Sequence, residues 1–290
     1  MPELPEVEIV CRGLNQLTCN RTITGGSILL KSTISYPPLS QELFWDSLTG
    51  VHIVSWTRRG KYLIGCLSNK KGDHCGFLAI HLRMTGQLLF VEQDEPISKH
   101  TRVRFFFGES QELRFVDIRT FGKIWLIPAV MQPETVIFSL KNLGVEPLSV
   151  KFTTDYLIDR LDKSNSKIKN ILLDQKVIAG IGNIYADESL FESRIHPKSP
   201  ASCLTIENWQ DLQKAIVKVL KKGIEQGGTT IRDFRTVTGI NGNYGGVAWV
   251  YGRTGKPCRI CDTPIEKITL GGRSSHFCPR CQPISIQPNP

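Results

Sequence analysis

The chain has 290 residues, with 36 Lys plus Arg against 27 Asp plus Glu, six His, nine Cys and a formal charge of +9 at pH 7. At 40% hydrophobic and 22% charged it is globular rather than disordered or fibrous, and its length allows one to three domains of about 100–200 residues. No run of about 18 apolar residues occurs, and the start Met1-Pro2-Glu3-Leu4-Pro5-Glu6 lacks the basic, apolar make-up of a secretory signal, so neither a membrane span nor export is expected.

Pro5 followed by Glu6 and Glu8 predicts a helix start, because proline suits the first helical position and acids favour the positive end of the helix dipole. Val7, Val10, Leu14 and Leu17 then share one face. From about residue 22 to 127 the pattern changes to short β-branched and aromatic runs at 51–56, 62–67, 77–82, 102–107, 113–116 and 123–127. Strands at this spacing suggest a β-sandwich or barrel. Residues 134–150, with Gly144 and Pro147, read as a linker after a first domain over 1–133. Helical periodicity follows at 156–161, 168–173, 184–191 and from Thr205. In the last of these Trp209, Leu212, Ile216 and Leu220 form an apolar stripe, which is core packing. Residues 227–248 contain six Gly and no clear period, and are read as a loop of functional size closing a domain over 151–250.

The last segment, 251–290, carries Cys258-x2-Cys261 and Cys278-x2-Cys281 with sixteen residues between the pairs. That spacing brings four thiolates around one tetrahedral zinc ion, and four cysteines leave no open position for catalysis, so the expected metal is structural. Between the pairs, 267–270 and 274–277 flank Gly271-Gly272-Arg273, which reads as a β-hairpin presenting Arg273 at its tip. An odd cysteine count with four crowded at one end does not look like a disulfide framework and fits a reducing compartment. The net charge is +3 over 1–133, −1 over 134–150 and +7 over 151–290. Such a surplus favours a polyanionic partner, since each neutralised phosphate releases condensed counterions.

Pro2 becomes the terminal residue once Met1 is removed, which a small second residue permits. A terminal amine has a pKa near 8 and Lys near 10.4, so the former is the more available nucleophile at neutral pH. Attack on a sugar C1′ by a secondary amine forms an iminium that cannot shed its charge by losing an N–H proton, and Glu3 beside it can move protons. Taken alone a Pro2 is commonplace. Its conjunction with other motifs is not: Met1-Pro2-Glu3-Leu4-Pro5-Glu6-Val7-Glu8, Arg59-Gly60-Lys61-Tyr62-Leu63, His81-Leu82-Arg83-Met84-Thr85-Gly86, Gly180-Ile181-Gly182-Asn183-Ile184-Tyr185-Ala186-Asp187-Glu188 and the terminal four-cysteine finger. Together these resemble the formamidopyrimidine-DNA glycosylase family, in the family's order, from Met1 to Gln282. The related endonuclease VIII enzymes typically begin PEGPE instead.

The resemblance implies an α+β chain: an N-terminal catalytic β-sandwich, a helical helix-two-turns-helix module and a zinc-finger β-hairpin. It implies one structural zinc on Cys258, Cys261, Cys278 and Cys281. It also implies a bifunctional glycosylase and AP lyase that excises oxidised purines from double-stranded DNA, acts on abasic sites and cleaves by β,δ-elimination. By motif position Pro2 is the Schiff-base nucleophile, Glu3 the acid/base residue and Lys61 an assistant near the lesion's phosphate. Asn183 and Arg273 contact phosphates, Glu188 lines the lesion pocket, and Met84, Arg119 and Phe121 fill the void left by the everted base. Two departures stand out. The family's usual second cation after Arg119 is Thr120 here, and its common His-x-His is His100-Thr101-Arg102, so a phosphate contact expected from the second His falls to Arg102. Residues 227–248 correspond to the lesion-capping segment. The expected setting is a monomer in the bacterial cytoplasm, associated with the nucleoid and not with a membrane. An endonuclease VIII-type pyrimidine-lesion glycosylase and a non-catalytic zinc-ribbon DNA-binding protein are the alternatives.

Overall fold

The computed structural model describes residues 1–36, 41–229, 237, 239, 242 and 244–284. The chain divides into two compact units, residues 1–142 with 227–242, and residues 143–226 with 243–290.

The first unit opens with α1 (Leu4–Thr18), whose Leu4, Val7, Val10 and Leu14 are completely buried. Its strands are β1 (Ile23–Ile28), β2 (Ile34–Tyr36), β3 (His52–Arg59), β4 (Tyr62–Ser68), β5 (His74–His81), β6 (Gly86–Glu92), β7 (Thr101–Phe107), β8 (Gln111–Asp117) and β9 (Lys123–Pro128). α2 (Gln41–Asp46) lies between β2 and β3, and α3 (Pro133–Val136) and α4 (Phe138–Lys141) follow β9. One sheet runs β2-β9-β5-β4-β3 and the other β1-β7-β8-β6. Side chains alternate along β7, with Val103, Phe105 and Phe107 inward. They meet Leu113 and Phe115 of β8, Trp56, Leu63, Leu78, Ile80 and Leu126 of the other sheet, and Val7, Val10 and Leu14 of α1 in a single core. One core lined by the inner faces of two sheets is a sandwich, as expected.

The elements that the sequence pattern does not single out are β6, a regular strand of seven residues, and the short or interrupted ones. β1 contains Gly25-Gly26 and β2 has three residues, while α3 and α4 are single turns inside the stretch read as linker. Such pieces have too few residues to display a period, and neighbours rather than propensity hold them.

The second unit contains α5 (Thr154–Leu161), α6 (Ile168–Leu173), α7 (Asn183–Glu192), α8 (Ile206–Glu225), α9 (Tyr244–Val247) and the antiparallel hairpin β10 (Glu266–Leu270) and β11 (Arg273–Phe277). α8 starts on a reciprocal capping box between Thr205 and Asn208 and buries the Trp209, Leu212, Ile216, Leu220 stripe. α7 is different, because eight consecutive residues from Ile184 to Phe191 are buried, Asp187 and Glu188 among them. In a helix buried on every side, charged side chains need partners that offset their loss of water. Among the described residues no helix is long and apolar enough to cross a membrane.

Candidate functional site

In the first unit Pro2 and Glu3 are buried in the lead into α1. Glu3 is the N-cap, and it exchanges hydrogen bonds with Glu6: the Glu3 side chain accepts from the Glu6 backbone, and Glu6 Oε2 accepts from the Glu3 N–H at 2.8 Å. The other Glu6 oxygen accepts from the Thr229 N–H at 2.7 Å. Glu6 therefore ties the terminus to the first residues of the 227–248 segment. Half of that segment, 230–236, 238, 240, 241 and 243, lies outside the described residues.

Lys61 is 6% exposed and sits between β3 and β4, where Gly60 takes a left-handed φ of 55°. On β5, His81 pairs with Tyr62, its ring edge-on to the tyrosine at 4.5 Å. Its Nδ1 accepts from the Arg83 N–H at 2.9 Å. Burial, with the positive charges of Arg83 and Lys61, pushes the imidazole down to about 3, so the ring is neutral at physiological pH. His81 opens the His81–Gly86 motif, and nothing in that pattern distinguishes a neutral, buried imidazole from an exposed one.

Met84, Arg119 and Phe121 lie on two turns that one carboxylate holds together. Asp117, at the end of β8 and 1% exposed, accepts from Thr85 Oγ1, from the Arg119 N–H at 3.2 Å and from the Gly122 N–H at 2.7 Å. The last bond requires glycine, because a Cβ at 122 would stand 2.3 Å from the Phe115 ring. Held in this way, Phe121 is 50% and Met84 38% exposed, and the Arg119 guanidinium lies over the Phe121 ring at 5.1 Å. Thr120, between them, has a φ of 58°, which a β-branched residue rarely adopts. Arg102 engages the same turn, its Nε donating to Asp117 O at 2.8 Å, Nη1 to Lys99 O at 3.3 Å and Nη2 lying 3.4 Å from His100 Nδ1. Much of its guanidinium is thus occupied inside the protein, bracing the turn and His100.

In the second unit the four cysteines form a compact cage. Sγ–Sγ distances are 3.9 Å for Cys258–Cys281, 3.5 Å for Cys261–Cys278 and 3.4 Å for Cys261–Cys281, and all four sulfurs lie within 4.8 Å of one another. Thiolates about 2.3 Å from a tetrahedral zinc stand about 3.8 Å apart, so the cage fits the ion. Backbone N–H groups of Ile260 and Cys281 point at the sulfurs of Cys258 and Cys278, stabilising negative charge there. Among the described residues no other group of three or more potential ligands clusters this closely. The hairpin turns through Gly271 and Gly272, both at positive φ (54° and 75°), and Arg273 is exposed as the first residue of β11, beside the tip.

Asn183 begins α7, and its Nδ2 donates to Ser274 O on β11 at 2.9 Å. That bond orients the amide with nitrogen toward the residue next to Arg273. Glu188 is completely buried, and its carboxylate accepts from the N–H groups of Trp249, Val250 and Tyr251 at 2.8–2.9 Å. Burial pushes this carboxyl above the usual range, against the three N–H groups that favour its charged form. Its oxygens anchor the chain leading into the zinc finger.

Residues 1–124 match the formamidopyrimidine-DNA glycosylase N-terminal domain, 143–235 the formamidopyrimidine-DNA glycosylase H2TH domain, and 255–284 the zinc finger found in FPG and IleRS. Formamidopyrimidine-DNA glycosylases of Crocosphaera subtropica and Rippkaea orientalis are 59% and 56% identical to the chain, covering 98% and 97% of it and 99% and 100% of their own lengths. Among solved structures, Lactococcus lactis Fpg in complex with an abasic site containing DNA aligns with a TM-score of 0.87 at 34% identity, over 97% of this chain and 99% of that one. MutM in complex with carbocyclic 8-oxo-G containing DNA aligns at 0.86 and 35%, over 97% and 100%. On these matches, which span both units and the finger, the chain belongs to the formamidopyrimidine-DNA glycosylase family.

Proposed function

We propose that the protein excises oxidised purines, chiefly 8-oxoguanine and formamidopyrimidines, from duplex DNA and then cleaves the strand by β,δ-elimination, with Pro2 as nucleophile. The observation that carries this reading is the buried Pro2-Glu3 pair, fixed by the reciprocal bonds between Glu3 and Glu6. Once Met1 is removed, the Pro2 nitrogen attacks C1′ as the glycosidic bond breaks and the base departs with the bonding electrons and a proton. Loss of the amine's own proton gives an N,O-acetal, and breaking of its C1′–O4′ bond, with O4′ taking up a proton, opens the sugar and leaves an iminium. Removal of a C2′ proton then expels the 3′ phosphate, and a second elimination expels the 5′ phosphate, with Glu3 carrying protons. Lys61 assists near the lesion's phosphate, Asn183, Arg273 and His100 contact phosphates, and Arg102 shares that role alongside its bracing bonds. Met84, Arg119 and Phe121 occupy the space of the everted base, and Glu188 contributes to the lesion pocket through the backbone it anchors. Zinc, when bound by the four cysteines, folds the hairpin that carries Arg273.

The test is borohydride trapping on a duplex with 8-oxoguanine opposite C, followed by mapping of the modified residue. The expected adduct is on Pro2, and Pro2→Gly should lose most excision and strand cleavage while still binding lesion duplex. Undiminished trapping on Lys61 or another lysine would refute the nucleophile. Trapping confined to oxidised pyrimidines supports the endonuclease VIII-type alternative, and intact duplex with no adduct supports a non-catalytic binding protein.

A further inference from the structure

Helix α7 carries a buried acid that this chemistry does not use. Asp187 and Lys169 are both fully buried and form an ion pair, and Lys169 Nζ also donates to the Asn183 carbonyl at 3.1 Å. The other oxygen of Asp187 accepts twice from one residue of β11, from the His276 N–H and from its Nδ1–H, each at 3.0 Å. One helical turn earlier, the Asn183 side chain grips Ser274 O of the same strand.

A buried ion pair is a weak source of stability, since desolvation offsets much of its attraction. Its strength is direction. The apolar contact of α7 with the finger, Phe191 among Val250, Cys258, Ile265 and Cys278, is non-directional and tolerates sliding. The bonds of Asp187 do not. A one-residue slip of β11 would displace Arg273 by about 3.3 Å and turn it to the opposite face, far outside the tolerance of a hydrogen bond. We propose that Asp187 is a positioning residue: held by Lys169, it locks β11 in register on α7, so that Asn183 and Arg273 grip the DNA backbone as one rigid clamp. This rests on the reading of those two side chains as phosphate contacts.

Asp187→Asn turns one acceptor into a donor facing the N–H groups of His276 or Lys169. With abasic duplex as probe, it should raise the half-saturating DNA concentration about tenfold, the scale of one lost charge-assisted hydrogen bond, and change the rate at saturation less than threefold. Zinc should remain at one per chain. In an Arg273→Ala background the same substitution should add less than about twofold, because the residue it aligns is gone. A further tenfold loss there, or unchanged affinity in Asp187→Asn alone, overturns the proposal. Unchanged affinity and salt dependence in Arg273→Ala alone would instead refute the phosphate reading and remove the proposal's basis. A second pair covers a failure of Asp187→Asn to fold. His276→Asn keeps a donor aimed at Asp187 and should bind as wild type, whereas His276→Phe should reproduce the loss with zinc retained. Equal behaviour of the two His276 variants also overturns it.

Discussion

Thr120 holds a left-handed backbone between two exposed side chains, at a cost of about 1 kcal/mol or more for a β-branched residue. The bonds of Asp117 to Arg119 and Gly122 impose that conformation. Thr120→Gly should therefore raise stability by about 1 kcal/mol in urea unfolding, provided the turn keeps its shape. Function should divide differently among the neighbours. Under the proposed function, Phe121→Ala should remove an apolar plug and slow excision opposite any base. Under the proposed wedge role, Arg119→Ala should also weaken discrimination between C and A opposite 8-oxoguanine, because of Met84, Arg119 and Phe121 it is Arg119 that has donors for the orphaned base. Asp117→Asn should combine both losses, and all three should cleave a preformed abasic site at near wild-type rates in single-turnover assays. Equal losses on both substrates would assign these residues to the fold instead. His81 makes a separate prediction through pH. Its folded value is about 3 against an ordinary 6.5, so the unfolded chain takes up the proton first. Its contribution is complete above 6.5 and declines as pH falls from there toward 3. Between pH 7.5 and pH 5 the wild type should lose about 2 kcal/mol that a His81→Gln variant does not, measured by urea unfolding at both values.

At the scale of elements, the zinc hairpin was legible to its turn. Two Cys-x2-Cys knuckles name the metal, Gly-Gly names the turn, and Arg273 follows at once, because each of these is local chemistry. Cys258→Ser should accordingly lose zinc and lower DNA affinity together by at least about tenfold, whereas Arg273→Ala should keep zinc and flatten the log–log salt dependence by about one phosphate, close to 0.9. Zinc stoichiometry and salt titrations separate the two. What could not be read was how α7 and the hairpin meet. Asp187 sits in a motif as one more helical acid, and its two bonds to His276 span 89 residues of sequence. Likewise Arg102 reads as a substitute phosphate contact, and only the folded turn reveals that three of its nitrogens face Asp117, Lys99 and His100. Periodicity reports which face is buried; it does not report which distant group is waiting there.

The whole chain is threaded back and forth. It leaves the first unit at residue 142, returns at 227 and departs again at 242. Val237, on the returning segment, is 1% exposed within the sandwich core, against α1 at Gly13, and its carbonyl accepts from the Phe90 N–H at 2.9 Å. For a chain made from its N-terminus this has a timing consequence. When residue 142 leaves the ribosome the sandwich still lacks a piece of its own interior, and at about 5–20 residues per second the missing residue arrives roughly 5–20 s later. The first unit is then the earliest made but not the earliest finished, and it waits with an apolar notch open beside α1. Ribosome-arrested chains ending near residue 190 should yield a protease-sensitive sandwich, and chains long enough to expose residue 242 a resistant one. Equal resistance at both lengths would mean that the notch closes without Val237.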